Sequence, residues 1–185
     1  MNKIRLQFIH VSEIVGSDNL ALLTLTDMER ERQLSIVCDK AMAIQLDLRV
    51  KKNPIRDMML PEVMGKVLSQ WGGIDLELLI QDIDDGQYKT FVVNRSSLEM
   101  IPIRASDAVL MHITMGVPLF INENLMERQS VLYNAKSHGV AIPVNSLNDD
   151  MLDSALQRAI STEDYELASR IRDEKMKRKK DLNIE

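Results

Sequence analysis

The most constraining segment of the sequence is an alternating run that leads into a tight-turn dipeptide. Between residues 74 and 83 apolar and mostly polar residues alternate, which is the pattern of a strand with one buried face. The apolar positions are Ile74, Leu76, Leu78 and Ile80. Asp85-Gly86 follows, and its glycine supplies the positive φ that a two-residue hairpin turn requires. Residues 88–93 then return as the partner strand, so the chain is predicted to contain an antiparallel pair within a larger sheet.

Further strands and helices are predicted on both sides of this hairpin. The strict alternation of residues 3–10 predicts a half-buried strand. Other strands are predicted at 20–26, 33–38, 99–103 and 119–121, and helices at 39–48, 61–71, 106–115 and 123–127. Gly116 fits the C-terminal cap of helix 106–115, and Pro118 blocks its continuation. Because the strands come in hairpins without strict βαβ alternation, the predicted fold class is α+β. It consists of a twisted mixed sheet with packed helices over residues 1–130.

The end of the chain has a different pattern. Residues 131–147 show little periodicity and are predicted to be a linker, and residues 148–185 are predicted to form an αα-hairpin. The first helix carries one apolar stripe of Leu152, Ala155, Leu156, Ala159 and Ile160. Residues 161–164 offer a new N-cap. The second helix turns Leu167, Ala168 and Ile171 inward. Since so few residues bury little apolar surface alone, the stripe is expected to pack against a second hairpin.

Cysteine usage and hydropathy bear on the compartment. The single cysteine, Cys38, excludes an internal disulfide and lies in an apolar run, where it is predicted to be a buried residue and not a nucleophile. No stretch approaches 18 uncharged apolar residues, and the N-terminal residues lead directly into an alternating pattern. We therefore predict a cytoplasmic protein without a membrane span, a signal peptide or a membrane partner.

The net charge of −5 is unevenly distributed. Residues 151–185 hold eight basic and eight acidic residues, so the whole excess of negative charge lies in residues 1–150. Non-specific coating of nucleic acid requires clustered cations. Any nucleic-acid chemistry of this chain therefore has to use a local patch.

Three segments resemble the bifunctional nuclease (DNase/RNase) family. Leu34-Ser35-Ile36 with the helix after it is similar to the Leu-Pro-Ile segment of the family, and the hairpin at Asp85-Gly86 is similar to its central hairpin. The most specific segment is Ile103-Arg104-Ala105-Ser106-Asp107-Ala108-Val109, continued by Gly116-Val117-Pro118-Leu119-Phe120. The resemblance as a whole covers roughly residues 3–127.

The resemblance implies hydrolysis of DNA or RNA phosphodiesters. Such hydrolysis needs an activated water, commonly on a divalent cation such as Mg²⁺ or Mn²⁺ held by carboxylates. Asp107 and Glu62 are the predicted catalytic carboxylates and metal ligands. Arg104 is predicted to bind the phosphate, and Ser106 to donate a hydrogen bond to it.

Two positions depart from the family pattern. Met42 stands where the first helix of the family commonly carries a glutamate, and Pro61 stands where the second helix commonly carries a histidine. Asp39 is nearby but is expected to lie on another face of the first helix. These departures support an alternative hypothesis, in which the α+β domain is a catalytically weak or inactive platform, predicted to be homo-oligomeric.

Structural interpretations of the same residues remain open. Ser106 and Asp107 also fit the start of helix 106–115 as caps, a role compatible with phosphate binding at that helix end. Arg104 fits a pair with Asp107 as well as with a substrate. His112 lies on the apolar stripe of its helix and is predicted to be a satisfied core histidine. The basic run 175–180 is predicted to compensate a helix dipole, with a nucleic-acid contact as the alternative.

Residues 152–175 are similar to the UVR motif of excision-repair subunits. The carrying residues are Glu163-Asp164-Tyr165-Glu166-Leu167-Ala168 and Ile171-Arg172-Asp173. The resemblance implies docking onto a protein partner in repair or stress response. Its predicted partner-binding residues are Tyr165, Leu167, Ala168, Ile171 and Arg172.

Overall fold

A computed structural model describes residues 2–14, 19–72, 75–134, 144, 147 and 149–182. Eight strands are present within these residues. They are β1 (Lys3–Glu13), β2 (Leu20–Asp27), β3 (Arg32–Asp39), β4 (Leu76–Asp84), β5 (Gln87–Asn94), β6 (Met100–Ile103), β7 (Leu119–Asn122) and β8 (Val131–Leu132).

The same residues form six α-helices and two shorter helical segments. The α-helices are α1 (Lys40–Val50), α2 (Leu60–Val67), α3 (Ala105–Met115), α4 (Glu123–Gln129), α5 (Asp149–Ser161) and α6 (Tyr165–Leu182). A 3₁₀ helix over Pro54–Met58 precedes α2, and a π-helical segment over Leu68–Gly72 follows it. No helix of the described residues is long and apolar enough to cross a bilayer.

The strands form one mixed sheet in the order β6-β5-β4-β7-β1-β2-β3-β8. β1, β2 and β3 make an antiparallel meander, whereas β4 and β7 pair in parallel with Leu78 opposite Leu119. The hairpin turn between β4 and β5 has φ angles of 46° at Asp85 and 73° at Gly86, as the dipeptide predicts. The predicted α+β class, with a mixed sheet and a terminal helical hairpin, is confirmed.

Several element boundaries differ from the predicted ones. β1 continues to Glu13, three residues beyond the predicted end, across a bulge between Phe8 and His10. The predicted helix 61–71 is α2 followed by the π-helical segment. Val131 and Leu132 fall in the predicted linker but pair with β3 as an edge strand. Most of the remaining linker lies outside the described residues.

The helices position the core and the candidate site. α1, α3 and α4 pack against the sheet, whereas α2 packs against α3. The largest fully buried side chains of this part of the chain are Leu6, Leu23, Leu25, Leu34, Leu46, Leu78, Ile80, Leu119, Ile121, Leu125 and Met126. α3 ends at Gly116, whose φ of 70° provides the left-handed cap that the sequence predicts.

The chain divides into two compact units. The first comprises residues 1–82 and 88–140, and the second comprises residues 83–87 and 141–185. In the second unit α5 and α6 share a small core of Leu147, Leu152, Ala159, Ala168 and Ile171. Asp164 caps α6, because its Oδ1 accepts a hydrogen bond from the N–H of Leu167 at 3.0 Å. The hydroxyl of Thr162 donates instead to the carbonyl oxygen of Arg158 in the last turn of α5.

Candidate active site

Arg104 joins two carboxylates at the start of α3. Its Nε and Nη2 donate to the carboxylate of Asp107 at 2.6 and 3.2 Å. Its Nη1 donates to Oδ2 of Asp39 at 3.4 Å. The side chains of Arg104, Asp39 and Asp107 are 65%, 47% and 32% exposed. We call these three residues the Arg104 cluster, and its charged atoms are open to a dissolved ligand.

Asp39 and Arg104 lie at the ends of two strands, β3 and β6. Asp39 ends β3 and serves as the N-cap of α1, where its Oδ1 accepts the N–H of Met42 at 2.7 Å. Arg104 follows β6 and is the N-cap of α3 in an extended conformation. The expectation that Asp39 lies on another face of the first helix is therefore wrong, because Asp39 precedes that helix and its second carboxylate oxygen is directed to Arg104.

The start of α3 lacks a side-chain cap. Arg104 occupies the N-cap position and makes no side-chain capping bond, while Ser106 and Asp107 lie inside the first turn. Their predicted capping role is corrected accordingly, since Asp107 accepts from the side chain of Arg104. The first N–H groups of a helix have no partner within it, and the helix dipole favours an anion at this end. Ser106 is buried next to these groups.

The electrostatics of the Arg104 cluster favour a cation. The hydrogen bond and charge of Asp107, followed by the charge of Asp39, raise the pKa of Arg104 above its usual value. The guanidinium is thus permanently charged and leaves a formal charge of −1 on the two carboxylates together. Neighbouring Cys38 is buried, and burial with the charge of Asp39 raises the pKa of its thiol to about 12. The prediction that Cys38 is a buried residue is confirmed.

Glu62 lies in a separate cleft of about 390 Å³. The charged residues that line the cleft are Arg49, Arg56, Asp57, Glu62 and Lys66. Oε2 of Glu62 accepts from Nη2 of Arg49 at 2.8 Å, and both side chains are almost fully buried. Arg49 also donates through Nη1 to the backbone carbonyl and to Oε1 of Gln45. The carboxylate of Glu62 is therefore committed to an ion pair.

The structure does not bring Asp107 and Glu62 together. Asp107 lies in the first turn of α3, whereas the cleft of Glu62 is lined by residues 113–115 in the last turn of the same helix. Six residues of α-helix span roughly 9 Å along the axis. The roles assigned to the two carboxylates stay predictions, but the geometry pairs Asp107 with Asp39 and not with Glu62.

The Arg104 cluster fits a hard divalent cation better than the cleft does. Asp39 and Asp107 both contact the guanidinium of Arg104, Asp39 through Nη1 and Asp107 through Nε and Nη2. Mg²⁺ retains several waters and is commonly held by one or two carboxylates. No group of three or more His, Cys, Asp or Glu side chains suited to a metal occurs among the described residues. A two-carboxylate site is thus the chemistry that these residues can supply.

His112 is structurally satisfied. Its Nδ1 lies 2.8 Å from the carbonyl oxygen of Val117, just beyond the end of α3, and the residue is half-buried. This contact ties the last turn of α3 to the segment that leads into β7. The contact satisfies His112, as predicted, but the residue is half-buried and does not belong to the buried core.

The predicted partner-binding residues of the tail divide into two groups. Ala168 and Ile171 are buried in the core of the helical hairpin, and Leu167 packs against that core. Tyr165 and Arg172 are exposed. The expected packing against a second hairpin is not needed to bury Ala168 and Ile171, because α5 and α6 cover each other. Of the five residues, Tyr165 and Arg172 are the ones open to a partner.

Asp39 is the site residue that the sequence analysis missed. Its signal was its position as the first residue of the predicted helix 39–48, where an aspartate caps free N–H groups. Only one carboxylate oxygen is used for this cap. An N-cap aspartate at the end of a strand therefore keeps a second oxygen for a ligand or a cation.

The described fold is an α+β domain with an exposed, mixed-charge site at a helix N-terminus, an arrangement suited to phosphate-containing ligands. Residues 23–134 match the family defined by the bifunctional nuclease domain. Because the match spans more than half of the chain, this protein belongs to the bifunctional nuclease domain family. A search of curated proteins found no match to the chain. The resemblance of the tail to the UVR motif stays a prediction.

Proposed function

We propose that this chain hydrolyses phosphodiester bonds of DNA or RNA at the Arg104 cluster. The observation that carries the proposal is the position of Arg104 between Asp39 and Asp107 at the uncapped start of α3, inside the range that matches the nuclease family. Phosphodiester hydrolysis requires positive charge near the phosphate and a means of activating water. The cluster offers a cation for the first requirement and a carboxylate pair for the second.

Asp39 and Asp107 are the residues that would hold Mg²⁺ or Mn²⁺. Such an ion supplies a Lewis acid and a water of lowered pKa. Both carboxylates are partly exposed and lie on separate elements, and the ion would take the oxygens that now accept from Arg104. Asp39 is anchored by its bond to the N–H of Met42, which fixes the direction of its carboxylate.

Arg104 is the residue that would contact the phosphate. Its guanidinium is the most exposed member of the cluster, and among the described residues the two carboxylates are the groups that hold it. When a divalent ion neutralises those carboxylates, their attraction for the guanidinium of Arg104 becomes weaker. The guanidinium can then bind the phosphate. Guanidinium groups bind phosphate oxygens bidentately. The N–H groups of the first turn of α3 provide further donors at this helix end, and the hydroxyl of Ser106 is proposed to donate as well.

Glu62 takes a positioning role in this proposal. Its ion pair with buried Arg49 connects α2 to α1, and no oxygen of this arrangement is directed to the Arg104 cluster by any described contact. The Met42 and Pro61 departures lie in α1 and α2 and not at Arg104 or Asp107. The chemistry is therefore assigned to the start of α3.

Cleavage of fluorescent single- and double-stranded DNA and RNA, with Mg²⁺, Mn²⁺ or EDTA, tests the proposal. The unmutated protein should cleave at least one substrate with metal and none with EDTA. Asp107→Asn, Asp39→Asn and Arg104→Gln should each lower the rate at least tenfold. Asp82→Asn is the matched control, since Asp82 is an exposed carboxylate paired with Arg128. Absence of cleavage by the unmutated protein with either metal would refute the proposal.

A second candidate function is that of an adaptor, favoured by the helical hairpin. The hairpin has a core of its own and still exposes Tyr165, Ile160 and Met176. An exposed aromatic residue beside exposed apolar ones is typical of a protein contact. Deleting residues 148–185 should abolish capture of a protein partner in a pull-down, with Tyr165→Glu as the point variant. Capture that survives both changes would exclude this function of the hairpin.

A further inference from the structure

The cleft of Glu62 carries more positive than negative charge. Its charged lining residues are Arg49, Arg56, Lys66, Asp57 and Glu62, a formal sum of +1 in a chain whose net charge is −5. Glu62 is paired with Arg49 at 2.8 Å, and Asp57 is paired with Arg56 at 3.5 Å. Lys66 donates to the backbone carbonyl oxygen of Asp57 at 3.5 Å, and no carboxylate of the described residues forms an ion pair with it. This surplus cation makes the cleft suited to an anion.

Arg49 is a buried guanidinium whose hydrogen bonding within the protein is incomplete. Its side chain is 2% exposed, and Nη1 and Nη2 donate to Gln45 and Glu62. Its Nε is buried and has no hydrogen-bond partner among the described residues. Buried donors without a partner are rare, and they are commonly explained by a bound ion or water. Because Arg49 lines the cleft, an anion bound there would lie beside this guanidinium.

Two helices connect this cleft with the Arg104 cluster. α1 begins after Asp39 and carries Arg49 in its last turn. α3 carries Asp107 in its first turn and Thr114, which lines the cleft, in its last turn. Asp107 and Thr114 are seven residues apart, and this spacing places them on the same side of α3. Since α1 and α3 also pack against each other, both helices run from the Arg104 cluster to the cleft.

The distance between the two sites matches a short length of nucleic acid. Seven residues of α-helix span about 10.5 Å, and successive phosphates of a stacked strand advance about 3.4 Å, so about three nucleotides separate the sites. We propose that the cleft of Glu62 binds a backbone phosphate of a single strand whose scissile phosphate lies at the Arg104 cluster. This inference rests on the proposed hydrolysis of phosphodiesters, and it adds a second phosphate subsite to that function.

Arg56 and Lys66 are the side chains that would contact this phosphate. Arg56 is 34% exposed and Lys66 is exposed, so both are open to a ligand in the cleft. Asp57 is exposed as well and holds Arg56 at 3.5 Å, a long contact that a phosphate can replace. A guanidinium binds phosphate oxygens bidentately, and an ammonium group adds a point charge.

The form of the cleft favours a single strand over a duplex. The cleft has a volume of about 390 Å³, and its lining residues come from the 3₁₀ helix Pro54–Met58, α2 and the ends of α1 and α3. A duplex is stiff over lengths of about 50 nm. A single strand bends easily and can turn one phosphate into such a recess. Changes in the cleft should therefore affect single strands more than duplexes.

Fluorescence anisotropy of a labelled single strand of about 12 nucleotides, in EDTA, measures binding without cleavage. Arg56→Gln with Lys66→Gln should raise the dissociation constant at least fivefold, and that of a duplex of the same length less than twofold. The slope of log K against log salt should become shallower by about 0.7, the value of one phosphate contact. Lys66→Gln alone changes one exposed side chain and should give a smaller loss. Arg95→Gln with Arg128→Gln is the matched control, since it removes the same charge from exposed ion pairs outside the cleft.

Kinetics distinguish this subsite from the reaction site. With the same single strand and Mn²⁺, Arg56→Gln with Lys66→Gln should raise KM at least fivefold and change kcat less than twofold, because the contact is remote from the scissile bond. Bis(4-nitrophenyl) phosphate is a diester too short to reach the cleft, so the variant should hydrolyse it at the unmutated rate. A lower kcat for this small diester would overturn the inference, because it would place the two cations at the reacting phosphate.

The same measurements separate failure of this inference from failure of the proposed function. A protein that binds the single strand through Arg56 and Lys66 but cleaves no substrate would refute the hydrolysis and support the phosphate subsite. Cleavage with equal dissociation constants and equal KM in the variant and the unmutated protein would retain the hydrolysis and overturn the subsite. Calorimetry with inorganic phosphate adds a third arm. If the variant weakens binding of inorganic phosphate but not of the strand, the cleft takes a free phosphate and the inference is overturned.

Discussion

Arg49 and Glu62 form a buried ion pair between α1 and α2, with Nη2 of Arg49 2.8 Å from Oε2 of Glu62 and side-chain exposures of 2% and 11%. The backbone carbonyl of Arg49 also accepts from Arg56 at 3.3 Å. This pair turns the side of α2 that carries Glu62 toward the protein, while Leu60, Val63 and Met64 are exposed.

Removing Glu62 should destabilise the fold strongly. Glu62→Ala leaves the guanidinium of Arg49 buried without its carboxylate, and breaking a buried pair in this way costs about 3–5 kcal/mol. Urea unfolding of Glu62→Ala and of the unmutated protein measures this difference in the free energy of unfolding. Asp82→Ala is the control, because its exposed pair with Arg128 should contribute about 0–1 kcal/mol. A loss of less than 1 kcal/mol for Glu62→Ala would show that Arg49 finds water in the cleft.

Replacing both partners should restore much of the loss. In Arg49→Met with Glu62→Leu no charge remains to be buried unpaired, and such apolar replacements of buried pairs are commonly neutral or stabilising. The double variant should therefore unfold at a higher urea concentration than Glu62→Ala alone. Equal midpoints would mean that packing around α2, and not charge, causes the loss.

Gly65→Ala should be destabilising because of Met115. Alanine is favoured over glycine within a helix by about 1 kcal/mol, but the new Cβ would lie 2.9 Å from Cγ of Met115 and force that side chain to move. Met115→Ala removes the obstructing atoms. In thermal unfolding the double variant should therefore melt at a higher temperature than Met115→Ala alone. If Gly65→Ala is stabilising by itself, Met115 moves aside at little cost.

Cys38 should react slowly with thiol reagents. Burial and Asp39 raise the pKa of its thiol to about 12 from 9.0, which lowers the thiolate fraction at pH 8 about a thousandfold. Since the folded-state pKa is the higher one, this thiol contributes stability below about pH 9 that is lost as the pH rises toward 12. Labelling with a disulfide reagent at pH 8 should be at least 100-fold slower than in denaturant. Equal rates would contradict the burial.

Ile171→Ala should loosen the helical hairpin. Ile171 is fully buried in the small core of α5 and α6, and an Ile→Ala change in a core costs about 2–5 kcal/mol. Hydrogen exchange of amides in α5 and α6 measures the effect, because two compact units need not unfold in one transition. Ile160→Ala is the control, since Ile160 is exposed on α5. Unchanged exchange in Ile171→Ala would mean that this core contributes little.

The elements that the sequence predicts well are those encoded by neighbouring residues. The alternation of β4, the turn at Asp85-Gly86 and the stop of α3 at Gly116 depend on residues within one or two turns of each other. The contact of Asp39 with Arg104 joins residues 65 positions apart and depends on where β3 and β6 end. Such a contact needs the strand order, which the local patterns do not contain.

The orientation of α2 illustrates the same limit. Its apolar spacing predicts a helix, but helical periodicity defines a stripe and not the surface that the stripe meets. In the structure the buried pair of Arg49 with Glu62 turns the side of α2 that carries Glu62 toward the protein. The same pair engages the carboxylate of Glu62, and the site proposed for the ion therefore combines Asp107 with Asp39.

Metal affinity should distinguish the roles of the three residues of the Arg104 cluster. Because Asp39 and Asp107 are the proposed ligands, Asp39→Asn and Asp107→Asn should each weaken Mn²⁺ binding at least tenfold in titration calorimetry. Arg104→Gln should strengthen it several-fold, since the guanidinium competes with the ion for both carboxylates. Asp82→Asn should leave it unchanged. Weaker Mn²⁺ binding in Arg104→Gln would mean that Arg104 organises the two carboxylates for the ion instead of competing with it.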